Sequence, residues 1–137
     1  MRVELTRDLA TCHALRREVF IDEQGVSEAE ELDDLDHAAL HVLGWVGDDA
    51  VATARLVVSG DQAKIGRVCV LRAHRGTGAG ATIMRGALDI LRQRGIRTAK
   101  LASQVHALPF YEKLGFVAYG PEFLDAGIPH RDMTLEL

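Results

Sequence analysis

The stretch Arg67-Val-Cys-Val-Leu-Arg-Ala-His-Arg-Gly-Thr-Gly-Ala-Gly-Ala-Thr-Ile-Met84 decides how the chain is read. Val68, Cys69, Val70 and Leu71 make a short apolar run of strand character, and from Gly80 the apolar positions move to helical spacing at Gly80, Ile83, Met84, Ala87, Leu88 and Leu91. The glycines sit at that change of period. Gly76, Gly78 and Gly80 alternate with Thr77, Ala79 and Ala81, so the backbone can turn with positive φ and an approaching group meets bare N–H donors. A helix beginning near Gly78 adds the unpaired N–H groups of its first turn and the positive end of its dipole. Together these predict a phosphate or pyrophosphate site.

Spacing separates the glycine loops that could be meant. A P-loop needs Lys and then Ser or Thr after its last glycine, whereas Ala81 and Thr82 follow Gly80 here. The dinucleotide fingerprint fits Gly76, Gly78 and Ala81, but it wants a carboxylate about 20 positions on, at the end of the next strand. That strand, Arg97 to Ser103, ends Ala-Ser-Gln, and the fingerprint normally follows a domain's first strand, not a long preceding segment. The remaining pattern is (Gln or Arg)-x-x-Gly-x-(Gly or Ala), met by Arg75, Gly78 and Gly80. Downstream stands Ala107-Leu-Pro-Phe-Tyr-Glu-Lys-Leu-Gly-Phe116. The two signatures in this order resemble the GCN5-related N-acetyltransferase (GNAT) family. The resemblance runs over essentially the whole chain, and Val19-Phe20-Ile-Asp-Glu23-Gln24-Gly25-Val26 and Gly127-Ile128-Pro129-His130 resemble the small ElaA-like subgroup.

Composition bounds the reading from outside. With 137 residues, 47% apolar and 26% charged, the chain is expected to be one globular domain spanning residues 1–137. No apolar run reaches membrane-spanning length, so no membrane partner is expected. The charged opening Met-Arg-Val-Glu-Leu-Thr-Arg-Asp does not read as a signal peptide, which leads us to expect a cytoplasmic protein with Cys12 and Cys69 as reduced thiols. A net charge of −4 argues against nucleic acid as a partner.

In chain order, Met1 to Leu5 alternates as a strand, and Leu9, Cys12, Leu15, Val19 and Phe20 share a helical face ended by Gly25. Ala38 to Val46 and Ala50 to Val58 read as a hairpin around Gly47-Asp48-Asp49, with a third strand at Lys64 to Leu71. After the loop come a helix closed by Gly95, the strand Arg97 to Ser103, a helix from Leu108 to Leu114, and strands from Phe116 and His130. The order β-α-β-β-β-α-β-α-β-β predicts an α/β (α+β) domain: a mixed, mainly antiparallel sheet with helices on both faces. Between Ser27 and Asp36, Glu28, Glu30, Glu31, Asp33, Asp34 and Asp36 stand almost without cations. Such a run reads first as a solvated surface and second as a feature that draws in a cationic acceptor.

What the resemblance implies for chemistry can be set residue by residue. Acetyl-CoA is the implied cosubstrate, with its pantetheine arm along Val68, Cys69 and Val70 and its pyrophosphate on Arg75, Gly76, Thr77, Gly78, Ala79, Gly80 and Ala81. An N–H near Cys69 or Val70 would polarise the thioester carbonyl. Tyr111 matches the family's general acid, and a phenol can protonate a thiolate of similar basicity. Glu23, His41 and His130 are of the right type for a general base, and nothing in their spacing selects one. His106 stands where many relatives carry asparagine, Lys113 can either reach a cofactor phosphate or stand solvated, and Cys69 reads as a buried small hydrophobe. His37 and His41 have helical metal-pair spacing but fall in a strand-like run, so no metal is expected. The implied activity is N-acetyl transfer to a small-molecule or peptide amine, cationic if the acidic segment faces the cleft, and a homodimer fits. The alternative is a module that binds or senses acyl-CoA without turnover.

Overall fold

Strand-forming runs alternate their apolar positions so that one sheet carries two different faces. A computed structural model describes residues 1–137. In it β1 (Arg2–Thr6), β2 (Leu40–Val46), β3 (Asp49–Ser59) and β4 (Gln62–Val70) are antiparallel neighbours. β5 (Thr98–Gln104) joins β4 in parallel, and β7 (Ile128–Glu136) then β6 (Val117–Asp125) follow antiparallel. The seven-stranded order is β1-β2-β3-β4-β5-β7-β6. This is the mixed, mainly antiparallel sheet that the element order predicts.

One face is covered by α3 (Ala79–Gln93), whose buried Ile83, Met84, Ala87, Leu88 and Leu91 share a core with Ala54, Leu56, Ala63, Ile65, Ala99, Leu101 and Met133. α3 comes so close to β1 that a Cβ on Gly86 would stand 2.4 Å from Val3 Cγ1. α4 (Leu108–Lys113) follows β5, and Tyr111 and Leu114 pack against the same core. The opposite face is covered by α1 (Leu9–Arg16), capped by Asp8, with Cys12 and Leu15 packed among Val19, Leu43 and Cys69. Helices therefore lie on both faces.

Beyond Arg16 the helix widens into a π-helical turn, Arg17–Glu23, closed where the Val26 N–H donates to Phe20 O at 2.9 Å. Periodicity does not announce this widening, and such turns recur at functional sites. The acidic segment also holds a short helix, α2 (Glu28–Glu31), started by Ser27 accepting from the Glu30 N–H.

Two irregularities open the sheet. β4 pairs with β5 only from Gln62–Lys64 against Thr98–Lys100, after which both strands run on unpaired with each other. On its other side Thr53 opposes Cys69 while Arg55 opposes Gly66, so β4 carries an extra, bulged residue. Arg67 takes the left-handed conformation there, with φ of 50°. A non-glycine residue held at positive φ is a local strain that neighbouring contacts must maintain.

Candidate active site

The loop between β4 and α3 leaves a row of backbone donors unpaired. Gly76 and Gly78 have φ of 75° and 84°, and a Cβ at either would meet nothing within 4 Å, so the space beside them is open. None of the N–H groups from Gly76 to Ala81 makes a well-formed hydrogen bond within the chain, and no side chain caps α3. Unpaired donors at a helix start fit a phosphate group. The coenzyme A pyrophosphate expected for Arg75 to Ala81 therefore fits this loop. Arg75 itself is turned back, its Nε donating to Val70 O at 2.9 Å and its two Nη groups to Glu23 at 2.9 and 3.0 Å.

Where β4 leaves β5, it presents a free edge. The Leu71 N–H donates to Val51 O at 2.9 Å, so the antiparallel alternation turns Cys69 toward β3 and Val70 away from it. Val70 O taking its bond from Arg75 fits that parity. The N–H group of Val70, not that of Cys69, thus faces the gap. The Cys69 side chain is 4% exposed in the α1 cluster, and burial pushes its thiol up to about 12, so it is a neutral, packed group.

The gap is a cleft of about 400 Å³ lined by residues from both faces of the sheet. Leu101, Ser103, Ala107 and Tyr111 line it on the α3–α4 side; Phe20, Gln24, Val26, Glu30, Arg67 and His130 belong to the other side. Tyr111 stands edge-on to Phe110 and Phe116, at centroid distances of 4.9 and 6.1 Å. Burial raises its phenol above the ordinary value, which keeps the O–H protonated. Its hydroxyl makes no bond within the chain and is absent from the buried unsatisfied atoms, so it opens on the cleft.

The three base candidates are placed very differently. Glu23 lies outside the cleft lining, and the hydrogen bonds from Arg75, with the charges of Arg75 and Arg72, hold its carboxyl below the ordinary range. A carboxylate so engaged is a poor proton acceptor. His41 is buried on β2 with Nε2 against Asp36 O at 2.9 Å, and it too lies away from the cleft. His130 is the candidate that lines it. His106 is exposed and bonds Gln104 Oε1 at 2.6 Å; Gln104, not His106, borders the cleft, and Lys113 is exposed at the end of α4 without a bonding partner.

The acidic segment is solvated at Glu28, Glu30 and Asp34 and cross-linked to arginines at Glu31, Asp33 and Asp36. Arg16, fully buried on α1, binds Glu31 and Asp36; Arg55 binds Asp33 at 2.8 and 3.1 Å and Asp36 at 3.2 Å. Arg67 donates to Glu31 O at 2.9 Å and to Asp33 at 3.3 Å, while Glu28 pairs with Arg17. Burial alone would raise Asp36, yet hydrogen bonds from Arg16 and His13, the Arg16 charge and the Arg55 bond hold it well below the carboxylate range. The segment is a cross-linked wall of the cleft. Glu31, Asp33 and Asp36 are bound to Arg16, Arg55 and Arg67, while Glu28, Glu30 and Asp34 stay exposed. Arg55 and Arg67 were missed as site residues, although an arginine inside the apolar run Ala50 to Val58 was a visible signal.

Comparison with known proteins agrees with this geometry. The uncharacterized N-acetyltransferase YjcF of Bacillus subtilis is 38% identical over 120 residues, covering 87% of this chain and 86% of that protein. Protein ElaA of Escherichia coli is 34% identical over 128 residues, covering 90% and 84%. Among solved structures, an acyl-CoA N-acyltransferase from Pseudomonas aeruginosa superposes with a TM-score of 0.86 at 29% identity, over 98% of this chain and 99% of that one. A Bacillus subtilis acetyltransferase in complex with CoA shares the fold, with a TM-score of 0.74 at 19% identity over 99% and 98%. The family model for the acetyltransferase (GNAT) domain matches residues 8–137, and the chain belongs to that family of acyl-CoA-dependent acetyltransferases.

Proposed function

We propose that this chain is a single N-acetyltransferase domain that moves an acetyl group from acetyl-CoA to an amine by direct attack, with both substrates bound at once. The observation that carries the reading is the cleft lined from both faces of the sheet. Its α3–α4 side holds Tyr111, whose neighbour Phe110 comes within 3.3 Å of a Cβ placed on Gly80 of the phosphate loop, and its other side opens between the segment from Phe20 to Leu35 and the β6–β7 hairpin. Donor and acceptor can therefore enter from opposite faces and meet at the free edge of β4.

The loop Gly76 to Ala81 would hold the pyrophosphate, and the edge Val68–Val70 would pair with the pantetheine amides as a neighbouring strand does. Acetyl-CoA supplies the activated acetyl thioester. The Val70 N–H, fixed in the strand and pointing into the gap, stabilises negative charge on the carbonyl oxygen. Tyr111 gives its phenolic proton to the departing sulfur. Phe20, Val26, Leu35, Val57 and Ile128 make the acceptor side partly apolar, with Glu30, Lys64 and Asp125 at its margins. An amine carrying an apolar portion suits that wall.

Thiol release in the presence of a broad amine panel, at several pH values, tests the reading. Turnover with at least one amine, and none without amine, is expected. A protein that binds acetyl-CoA yet releases no thiol with any amine would instead be an acyl-CoA sensor.

A further inference from the structure

We propose that His130 is the general base for the acceptor amine, held in one tautomer by the backbone of its own hairpin. The inference rests on the acetyl-transfer reading. His130 Nδ1 lies 2.7 Å from Ile128 O. A carbonyl oxygen only accepts, so Nδ1 carries the proton and the neutral ring keeps its lone pair on Nε2. Nε2 makes no hydrogen bond within the chain and is not among the buried unsatisfied atoms, so it opens on the cleft that His130 lines. The ring is fixed in place. It stacks on Phe123 at 6.0 Å with an interplanar angle of 26°, and its residue sits opposite Gln104 in the β5–β7 ladder with 9% of its surface exposed.

The groups around it leave the role open to no better candidate. Ionisable side chains lining the same cleft are Glu30, Glu31, Arg55, Lys64, Arg67, Tyr111 and Asp125. Glu31 is bound to Arg16, and Tyr111 is needed protonated. Glu30 and Asp125 are exposed, on α2 and at the hairpin tip, and neither has its orientation set by a buried partner. On β6 the neighbour is Phe123, and on β5 it is Gln104, so no charge of an adjacent strand opposes His130 directly.

The proton balance closes with these groups alone. One N–H bond of the acceptor ammonium breaks and an Nε2–H bond forms on His130, leaving a neutral amine. Its nitrogen lone pair forms the C–N bond, the C–S electron pair leaves with sulfur, and Tyr111 protonates that sulfur. The phenolate recovers a proton from the nitrogen of the new amide, and His130 returns its own to water. The net change is one proton released per acetyl transferred.

Two readouts decide it. Imidazole ¹⁵N NMR of the unliganded wild-type protein, with the signal assigned through His130→Gln, should show the Nδ1–H tautomer; an Nε2–H tautomer would overturn the proposal. In kinetics, His130→Ala should lose on the order of 10²-fold in turnover, with cofactor KM unchanged and activity partly restored by free imidazole. The wild-type acid limb of kcat/KM should disappear in His130→Asn. An active wild type with an unaltered His130→Asn profile, or no rescue of a folded His130→Ala, would sink the base role and leave acetyl transfer standing. A wild type without thiol release would sink both.

Discussion

Tyr111 shows how one side chain takes a role from its surroundings. A phenol in water is a weak acid in contact with solvent; here burial raises its proton affinity, while Phe110 and Phe116 pack edge-on against the ring and leave the hydroxyl facing the cleft. Replacing it with Phe removes only the hydroxyl. Turnover should fall by about 10²-fold, within the range for general acid–base groups, while the acetyl-CoA dissociation constant changes little. Unchanged turnover in a chemistry-limited assay would remove Tyr111 from the mechanism. The motif around Phe110 and Tyr111 singles out this residue in the sequence, and in the fold it lines the cleft. The choice among Glu23, His41 and His130 is not legible there, because it turns on which side chains are already bonded. Arg75 occupies Glu23 and Asp36 O occupies His41, and neither pairing has a local sequence signal.

The strand–loop–helix unit from β4 to α3 is legible because its signals are local: apolar period, alternating glycines and a helix start. The bulge at Arg67 and the early end of the β4–β5 ladder are not, since both depend on cross-strand register. These two features make the cleft. Two glycines of the unit separate ligand from fold. A Cβ at Gly78 meets no protein atom within 4 Å, so the cost of Gly78→Val to the fold is chiefly the positive φ, about 1–3 kcal/mol, and its branched side chain crowds the anion. A folded Gly78→Val protein should bind acetyl-CoA at least 10-fold more weakly by calorimetry, within the 1.4 kcal/mol per decade that such crowding readily reaches. Gly86→Ala should do the reverse, because its Cβ falls 2.4 Å from Val3 Cγ1. Overpacking of this kind costs about 1–3 kcal/mol and should lower Tm while leaving affinity alone. Equal acetyl-CoA affinity in a folded Gly78→Val protein would refute the loop's assignment.

The whole molecule is tied together across the site by charges that composition conceals. A segment with six carboxylates among Ser27 to Asp36 would ordinarily be solvated, yet Arg16, Arg55 and Arg67 from α1, β3 and β4 converge on it and bury Glu31 and Asp36. Breaking one partner of such a set leaves an uncompensated buried charge, at a cost of about 3–5 kcal/mol. Asp36→Asn keeps the shape and removes the charge, so it should lose roughly that much stability at neutral pH. The pH dependence follows from the sign of the shift. Burial raises the Asp36 carboxyl, but the bonds from Arg16, His13 and Arg55 outweigh it, so the folded state binds its proton less readily than the unfolded chain. Asp33 shifts in the same direction through Arg55 and the Leu35 N–H, against its own burial. The stability from both is fully present above the unfolded carboxylate value of about 3.9, and is lost as pH falls from there toward the folded values. Urea unfolding at pH 7, 4 and 3 should therefore show wild-type stability dropping below about pH 4, with a shallower drop in Asp36→Asn. Parallel slopes in the two proteins would mean that Asp36 is not held by its arginines in solution, and the cleft wall would then owe its position to packing alone.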